Sequence, residues 1–286
     1  MKFVSAVLAC LLAWISPSGA AFAGGVPILL YHRFGPVVAD SMTITTPVFE
    51  SHLKYLSENG YQVVALRDLM GMYFGKGIPS DSRYVVLVAD DAHISVYTTA
   101  FPLLKKYNAH MTLFVYPSAV SNASYAMTWD QLRELKSTGL FDFQSHTYWH
   151  PNFNKERARL APAEFEKLVH MQFTKSREKL EKEMGVKVDL LAWPFGIFDP
   201  WLMAKAAEAG YAAAFTIERH VVTRDDQPMA LPRFLLTDKD RGKAFEAILN
   251  ASHIVAKREG KNGQSNKSTN LDCSFGIDLS GFRMAR

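Results

Sequence analysis

Three short groups of residues in this 286-residue sequence are of types that do chemistry. Asp90-Asp91 sets two carboxylates side by side. Such a pair repels itself unless one member binds a cation and the other is held by a basic neighbour; a solvated acidic turn is the alternative. His146-Thr147-Tyr148-Trp149-His150 sets two imidazoles four residues apart, a spacing that brings both to one side of a helical turn or tight loop and suits a shared metal. Ordinary hydrogen-bonded loop histidines are the competing account. Joined by one Asp, the two histidines would form a His/His/carboxylate set with a coordination position left open for water or substrate. Trp193-Pro194-Phe195-Gly196 combines a rigid proline with a permissive glycine, a turn that can aim the Phe195 N–H at a developing oxyanion or can simply end a strand.

These groups need a frame that brings them together, and the hydrophobic pattern supplies one. Val26 to Tyr31 and Tyr84 to Ala89 are continuous apolar runs suited to buried strands, and Met111 to Tyr116 is β-branched and apolar. Strands are also expected over Phe141 to Ser145, Val188 to Trp193 and Ala212 to Thr216. Between them run helical patterns: Phe49, Leu53 and Leu56 before Gly60, then Val96 to Tyr107, then a helix capped by Thr128 and continuing through Lys136. A long amphipathic helix opens at Pro162 and ends before Gly185, and another runs from Pro200 to Ala209. Strands alternating with helices imply βαβ units, a mainly parallel sheet and right-handed crossovers, with a repeat count that suits a barrel. In such folds functional groups gather on loops at the carboxyl ends of strands, and all three chemical groups fall there.

Composition narrows the class further. With 48% hydrophobic residues the chain can bury a core, and a formal charge of +4 is too small for a binder that must neutralise many phosphates, so no nucleic-acid partner is expected. Lys2 followed by an apolar run from Phe3 to Ile15 and by Ala21-Phe22-Ala23 reads as a signal peptide over residues 1–23, hence an exported protein, periplasmic or secreted. That run falls short of the ~18 residues that span a bilayer, and no integral membrane segment is expected. Cys273 then stands without a disulfide partner. One domain is expected over residues 24–256, followed by a flexible polar tail over 257–286 rich in Lys, Asn, Ser and Gly.

Taken in order, Leu30-Tyr31-His32-Arg33, Asp90-Asp91, His146-x-x-x-His150 and Trp193-Pro194-x-Gly196 resemble the motifs of the polysaccharide deacetylases of carbohydrate esterase family four. The tryptophan before the Pro-x-Gly turn is most like the exported poly-N-acetylglucosamine deacetylases of bacterial biofilms. The resemblance spans about residues 26 to 237. It implies a distorted (β/α) barrel of about seven repeats with mainly parallel strands. It also implies Asp90 as general base, Asp91, His146 and His150 as ligands of a divalent metal, expected to be Zn2+, and Phe195 as the oxyanion-donor turn. Arg233 matches an arginine that orients the base, and His32 matches a pocket histidine of the first strand, with a satisfied core histidine as the alternative. The family often draws a proton donor from a C-terminal histidine; His253, in a helical pattern over Ala244 to Ala256, does not clearly reproduce that motif.

The expected activity is therefore metal-dependent removal of N-acetyl groups from N-acetylglucosamine units of a polysaccharide. A carbohydrate-binding relic without activity, and a metal amidase on a small non-sugar substrate, are the alternatives. Two departures bear on this: Ala89 and Ala92 stand where the family usually has phenylalanine and glycine around its Asp-Asp pair. An alanine cannot take positive φ as cheaply as glycine, so the loop is expected to sit differently.

Overall fold

The computed structural model describes residues 25–75, 77 and 83–251. The expected signal peptide, Cys273, His253 and the polar tail lie outside these residues. The chain begins with β1 (Ile28–Tyr31), β2 (Arg33–Gly35), β3 (Thr43–Thr45), α1 (Thr46–Glu58), β4 (Gln62–Val63), α2 (Leu66–Phe74) and β5 (Tyr84–Asp90). A π-helical stretch, Val96–Ala100, runs into α3 (Phe101–Tyr107), followed by β6 (Met111–Val115), α4 (Trp129–Ser137), β7 (Phe141–Ser145), α5 (Phe153–Arg159) and α6 (Pro162–Met184). Then come β8 (Leu190–Ala192), α7 (Pro200–Glu208), β9 (Ala213–Phe215), β10 (Phe234–Leu235) and a last helix, α8, over 243–251.

Seven strands lie in the order β10-β1-β5-β6-β7-β8-β9, all neighbours parallel, and β4 adds to the edge of β5. The sheet curls until its ends meet through the segment before β10: Leu231 donates to Ala214 O and accepts from the Thr216 N–H, while Phe234 registers with Leu29 of β1. The architecture is the expected distorted (β/α) barrel of mainly parallel strands.

The strands are continuously apolar because both faces are covered, as parallel sheets require. Alternate residues nevertheless serve different layers. Leu29, Tyr31, Val85, Leu87 and Ala89 pack outward against the helices, whereas Ile28, Leu30, Val86, Val88, Phe114, Leu190, Phe215 and Leu231 fill the interior with Leu66, Leu69 and Met70 of α2. The helices follow their signals. Thr128 and Gln131 close a reciprocal capping box on α4, Pro162 opens α6, and Gly185 ends it at φ 59°. Three differences from the sequence reading are local. The Val96–Tyr107 helix starts as a π turn, the strand expected over Val188–Trp193 is hydrogen-bonded only over Leu190–Ala192, and α2, α5 and the short strands β2, β3, β4 and β10 lacked a clear periodic signal.

The weakest joint of the sheet is between β7 and β8, where only Ser145 and Leu191 register. The Gln144 side chain stitches it from below, its Oε1 accepting from the N–H groups of Asp189 and Leu190 and its Nε2 donating to Lys187 O. Elsewhere the C-terminal segment is fastened to α1 by His52. Its Nε2–H donates to Asp240 O at 2.6 Å, its Nδ1 accepts from the Tyr31 hydroxyl at 3.1 Å, and its ring stacks on Phe245 of α8 at 4.0 Å. Both nitrogens are thus used by the neutral ring, and burial lowers the His52 pKa to about 4, against the opposing pull of Asp240 and Asp238.

Between about pH 4 and the unfolded-state value of 6.5 the unfolded chain binds the proton that native His52 refuses, so stability rises with pH across this window and is level above it. We expect His52 to account for roughly 3 kcal/mol of acid destabilisation. Denaturant titrations of wild type and His52→Gln at pH 7 and pH 4 measure it, as the part of the acid loss that the variant no longer shows.

Candidate active site

The inward alternation of the barrel strands continues one residue past each apolar run, and there it turns polar. After Ile28 and Leu30 comes His32; after Val86 and Val88 comes Asp90; after Phe114 comes Tyr116; after Gln144 comes His146; and Leu231 is followed two residues later by Arg233. The candidate site is thus the top layer of the interior.

Asp90 is 2% exposed and Arg233 fully buried, and the two form a bidentate pair: Arg233 Nη1 donates to Asp90 Oδ1 at 2.8 Å and Nη2 to Oδ2 at 3.0 Å. Arg233 Nε donates to Thr216 O at 2.9 Å, so the fork is held from both sides. Burial would raise the Asp90 pKa, but Arg233, His146 and His32 overcome it and hold the carboxyl at about 2.

Asp91, His146 and His150 offer one ligand atom each within 4.8 Å of one another. Asp91 Oδ1 lies 3.7 Å from His146 Nε2 and 3.8 Å from His150 Nε2, close to the roughly 3.4 Å edge of a tetrahedron with metal–ligand bonds near 2.1 Å. The donor set fits a divalent metal in a further respect. His146 Nδ1–H donates to Ala192 O at 2.8 Å, which fixes the tautomer and turns the Nε2 lone pair toward the two carboxylates, Asp90 Oδ2 at 3.6 Å and Asp91 Oδ1 at 3.7 Å. Burial lowers the His146 pKa to about 3 and also lowers that of His150, so both rings are neutral, as ligation requires. Asp91 is shifted upward by burial. The same Ala192 bond spans the weak β7–β8 joint above Gln144.

The backbone that presents these groups is bent in the left-handed region. Asp91 (φ 73°), Ala92 (φ 53°), Thr147 (φ 64°), His150 (φ 61°) and Phe195 (φ 56°) all have positive φ. Ala92 therefore adopts the glycine-like turn despite its Cβ. This left-handed alanine costs a strain of about 1 kcal/mol, and its carbonyl receives the Met127 N–H at 3.0 Å.

The histidine loop is braced by α6. Gln172 Oε1 accepts from the N–H groups of both Tyr148 and Trp149 at 3.0 Å. Ser176 Oγ donates to Thr147 O, and Tyr211 donates to Ser145 Oγ, which shares a further hydrogen bond with Ser176. These buried groups were not found from the sequence, because a polar residue on the apolar face of a helix is recognisable only once its partner is placed. Tyr116 was also missed. Its ring lies 5.4 Å from that of His150, and its hydroxyl pairs with Tyr125 at 2.6 Å.

The remaining expected residues are also at this end. Phe195, 57% exposed, sits in a 3-10 turn with its ring 4.5 Å from His150, and Gly196 beside it has no room for a side chain because Ile217 lies 2.6 Å from where a Cβ would stand. Burial lowers the pKa of His32, opposed by Asp90 and Asp91, and its Nδ1 is buried without a hydrogen-bond partner among the described residues. The structure thus gathers Asp90, Asp91, His146, His150, Arg233, His32 and Phe195 at the carboxyl ends of the strands.

Comparison with known proteins agrees with this geometry. A family model described as polysaccharide deacetylase matches residues 77–214. A poly-beta-1,6-N-acetyl-D-glucosamine N-deacetylase of Staphylococcus aureus is 25% identical over 222 residues, covering 76% of this chain and 72% of the relative. Among solved structures, IcaB from Ammonifex degensii is 26% identical with a TM-score of 0.68, covering 80% of this chain and 98% of that one. A Streptococcus pyogenes deacetylase solved with acetate, 21% identical, shares the fold at a TM-score of 0.70 over 79% of this chain and 98% of that one. With its parallel barrel and its strand-end groups in the family order, this chain is similar to the polysaccharide deacetylases, whose family model matches it over residues 77–214.

Proposed function

We propose that the protein hydrolyses the N-acetyl groups of N-acetylglucosamine units in a polysaccharide, that it depends on a divalent metal, zinc by the chemistry of its donors, and that it is exported. The observation that carries this reading is the pairing of two adjacent carboxylates with opposite surroundings: Asp90 clamped by Arg233, Asp91 facing two neutral histidines. Two neighbouring carboxylates given such different partners are equipped for different tasks. The relatives named as deacetylases of poly-beta-1,6-N-acetyl-D-glucosamine supply the substrate class.

In this reading Asp91, His146 and His150 hold the metal, and the ion supplies Lewis acidity, polarising a carbonyl and lowering the pKa of water. Asp90 is ionised at neutral pH and accepts the proton of the attacking water. A carboxylate this acidic is a weak base, which is why a Lewis acid beside it is part of the proposal. Arg233 holds both Asp90 oxygens and so fixes the orientation of the base, whose Oδ2 lies 3.6 Å from His146 Nε2. The Phe195 backbone N–H is assigned to the oxyanion, and His32 to the pocket wall below it. Tyr116 and Phe195 close on the His150 ring and confine the acetyl group. Export rests on the N-terminal sequence pattern; no helix among the described residues is long and apolar enough to cross a membrane.

The relic alternative draws on Ala89 and Ala92, yet the turn at Ala92 retains its glycine-like conformation and the ligand atoms converge. The amidase alternative has no observation in its favour.

Three outcomes are expected. Asp90→Asn should keep bound metal and lose roughly 10²- to 10⁴-fold in turnover, read as acetate released from N-acetylglucosamine oligomers beside a metal analysis; undiminished release would remove Asp90 as base. His146→Ala should lose the metal itself, and chelation of wild type should abolish acetate release until metal is restored. Ala92→Gly should change stability by no more than a few tenths of a kcal/mol in denaturant unfolding, because relief of the left-handed alanine is offset by loss of its buried methyl, and should leave bound metal unchanged.

A further inference from the structure

Beyond the catalytic layer lies a groove where the start of α6 meets α5 and the start of α7. It has a volume of about 740 Å³ and is lined by Arg157, Leu160, Phe165, Glu166, Asp199 and Trp201, among others. Trp201 is 38% exposed, but it is not loosely placed. Its ring stacks on Phe165 at 5.5 Å and 27°, and the Arg157 guanidinium lies 4.9 Å from the Phe165 ring centre and 5.7 Å from that of Trp201. Arg157 is in turn held by Asp199 at 2.5 Å, and Asp199 also caps α7 by accepting from the Leu202 N–H. A tryptophan fixed this firmly with more than a third of its surface in water is presented rather than packed.

The groove's chemistry selects one class of ligand. A pyranose ring has an apolar C–H face and a rim of hydroxyl and amide groups, and it matches a fixed aromatic face bordered by polar side chains. The charged groups of the groove are matched with one another, Arg157 with Asp199 and Glu166 with Lys205, so a charged ligand would have to break an ion pair while a neutral one would not. Past the Glu166–Lys205 pair the depression continues into a second cavity of about 590 Å³ with His170 and Glu208, so it has the length for more than one sugar. Both edges lead back to the catalytic layer: α5 begins three residues after His150, and Asp199 lies four residues after Phe195.

We propose that Trp201, backed by Phe165 and Arg157, is a remote sugar-binding platform that holds a neutral, still N-acetylated hexosamine of the same polymer chain whose other unit is being deacetylated. This rests on the function proposed above. The platform binds long substrates more tightly than short ones and favours stretches of chain that have not lost their acetyl groups.

The test uses the full mature chain carrying Asp90→Asn, titrated calorimetrically with β-1,6-linked N-acetylglucosamine dimer and hexamer. The hexamer should bind roughly tenfold more tightly than the dimer, an advantage that Trp201→Ala erases and Trp201→Phe largely keeps. The indole N–H signal of Trp201, assigned by its loss in Trp201→Phe, should shift with hexamer, and this reading does not depend on the folding of the alanine variant. Equal dimer and hexamer affinities, unchanged hexamer binding in a folded Trp201→Ala, or an unmoved indole signal would each overturn the proposal. Acetate release by the chain with Asp90 intact is measured separately. Trp201-dependent hexamer binding without acetate release would keep the platform and remove the hydrolase, whereas acetate release with Trp201-independent binding would do the reverse.

Discussion

The buried pair of Arg233 and Asp90 is the constraint around which this end of the barrel is organised. A carboxylate 2% exposed is expensive unless compensated, and a guanidinium with no exposure at all is equally so. Neither has another partner of opposite charge as close, so their segments must meet: Asp90 at the end of β5, and Arg233 just before β10 with β1 between the two strands. That requirement draws the C-terminal segment across the barrel and closes the sheet beside Leu231. Truncating either side chain would strand a charge in the interior, a cost of about 3–5 kcal/mol for pairs of this kind. The pair therefore stabilises closure and fixes the base in the same contact.

The same economy recurs at the β7–β8 joint. With one registered pair of residues, this boundary has little backbone ladder to hold it. Gln144 and His146, both pointing inward on β7 and its extension, bridge to the β8 side below and above that point. The His146 bond to Ala192 O is thus a structural bond that also sets the ligand's tautomer. Because a single imidazole does both, a change there acts on sheet cohesion as well as on any ion bound at Nε2. Gln172 and Ser176 extend the arrangement outward by fixing the strained Thr147–His150 loop from α6, and the left-handed residues persist because these bonds over-determine them.

Much of this was legible in the sequence, for a physical reason. Parallel strands covered on both faces read as unbroken apolar runs, and the first charged or imidazole residue after such a run must sit at a strand end. That logic located Asp90, Asp91, His146 and the Pro194–Gly196 turn, while Arg233 and His32 came only from the family resemblance. With the strands in place the two-residue period finds them too, and it also finds Tyr116, which apolar scoring had absorbed into β6. What stayed hidden has the opposite character. Strands of two or three residues such as β4 and β10 carry too few positions for a period, and Gln172 on α6 looks like any polar interruption until the loop it braces is known.

The left-handed Ala92 shows how far a local rule yields to its surroundings. Glycine is the inexpensive choice at φ 53°, and an alanine there argues for a different loop if propensity is considered alone. Around it, however, Asp91 is fixed by its place beside the two histidines, and the Ala92 carbonyl is tied to Met127. Ala92 itself is 1% exposed, its methyl part of the outer core cluster. Burying that methyl contributes on the order of 0.8 kcal/mol, nearly offsetting the strain of about 1 kcal/mol. The alanine is then close to neutral for stability, and the turn that aims Asp91 survives without the residue type that usually makes it.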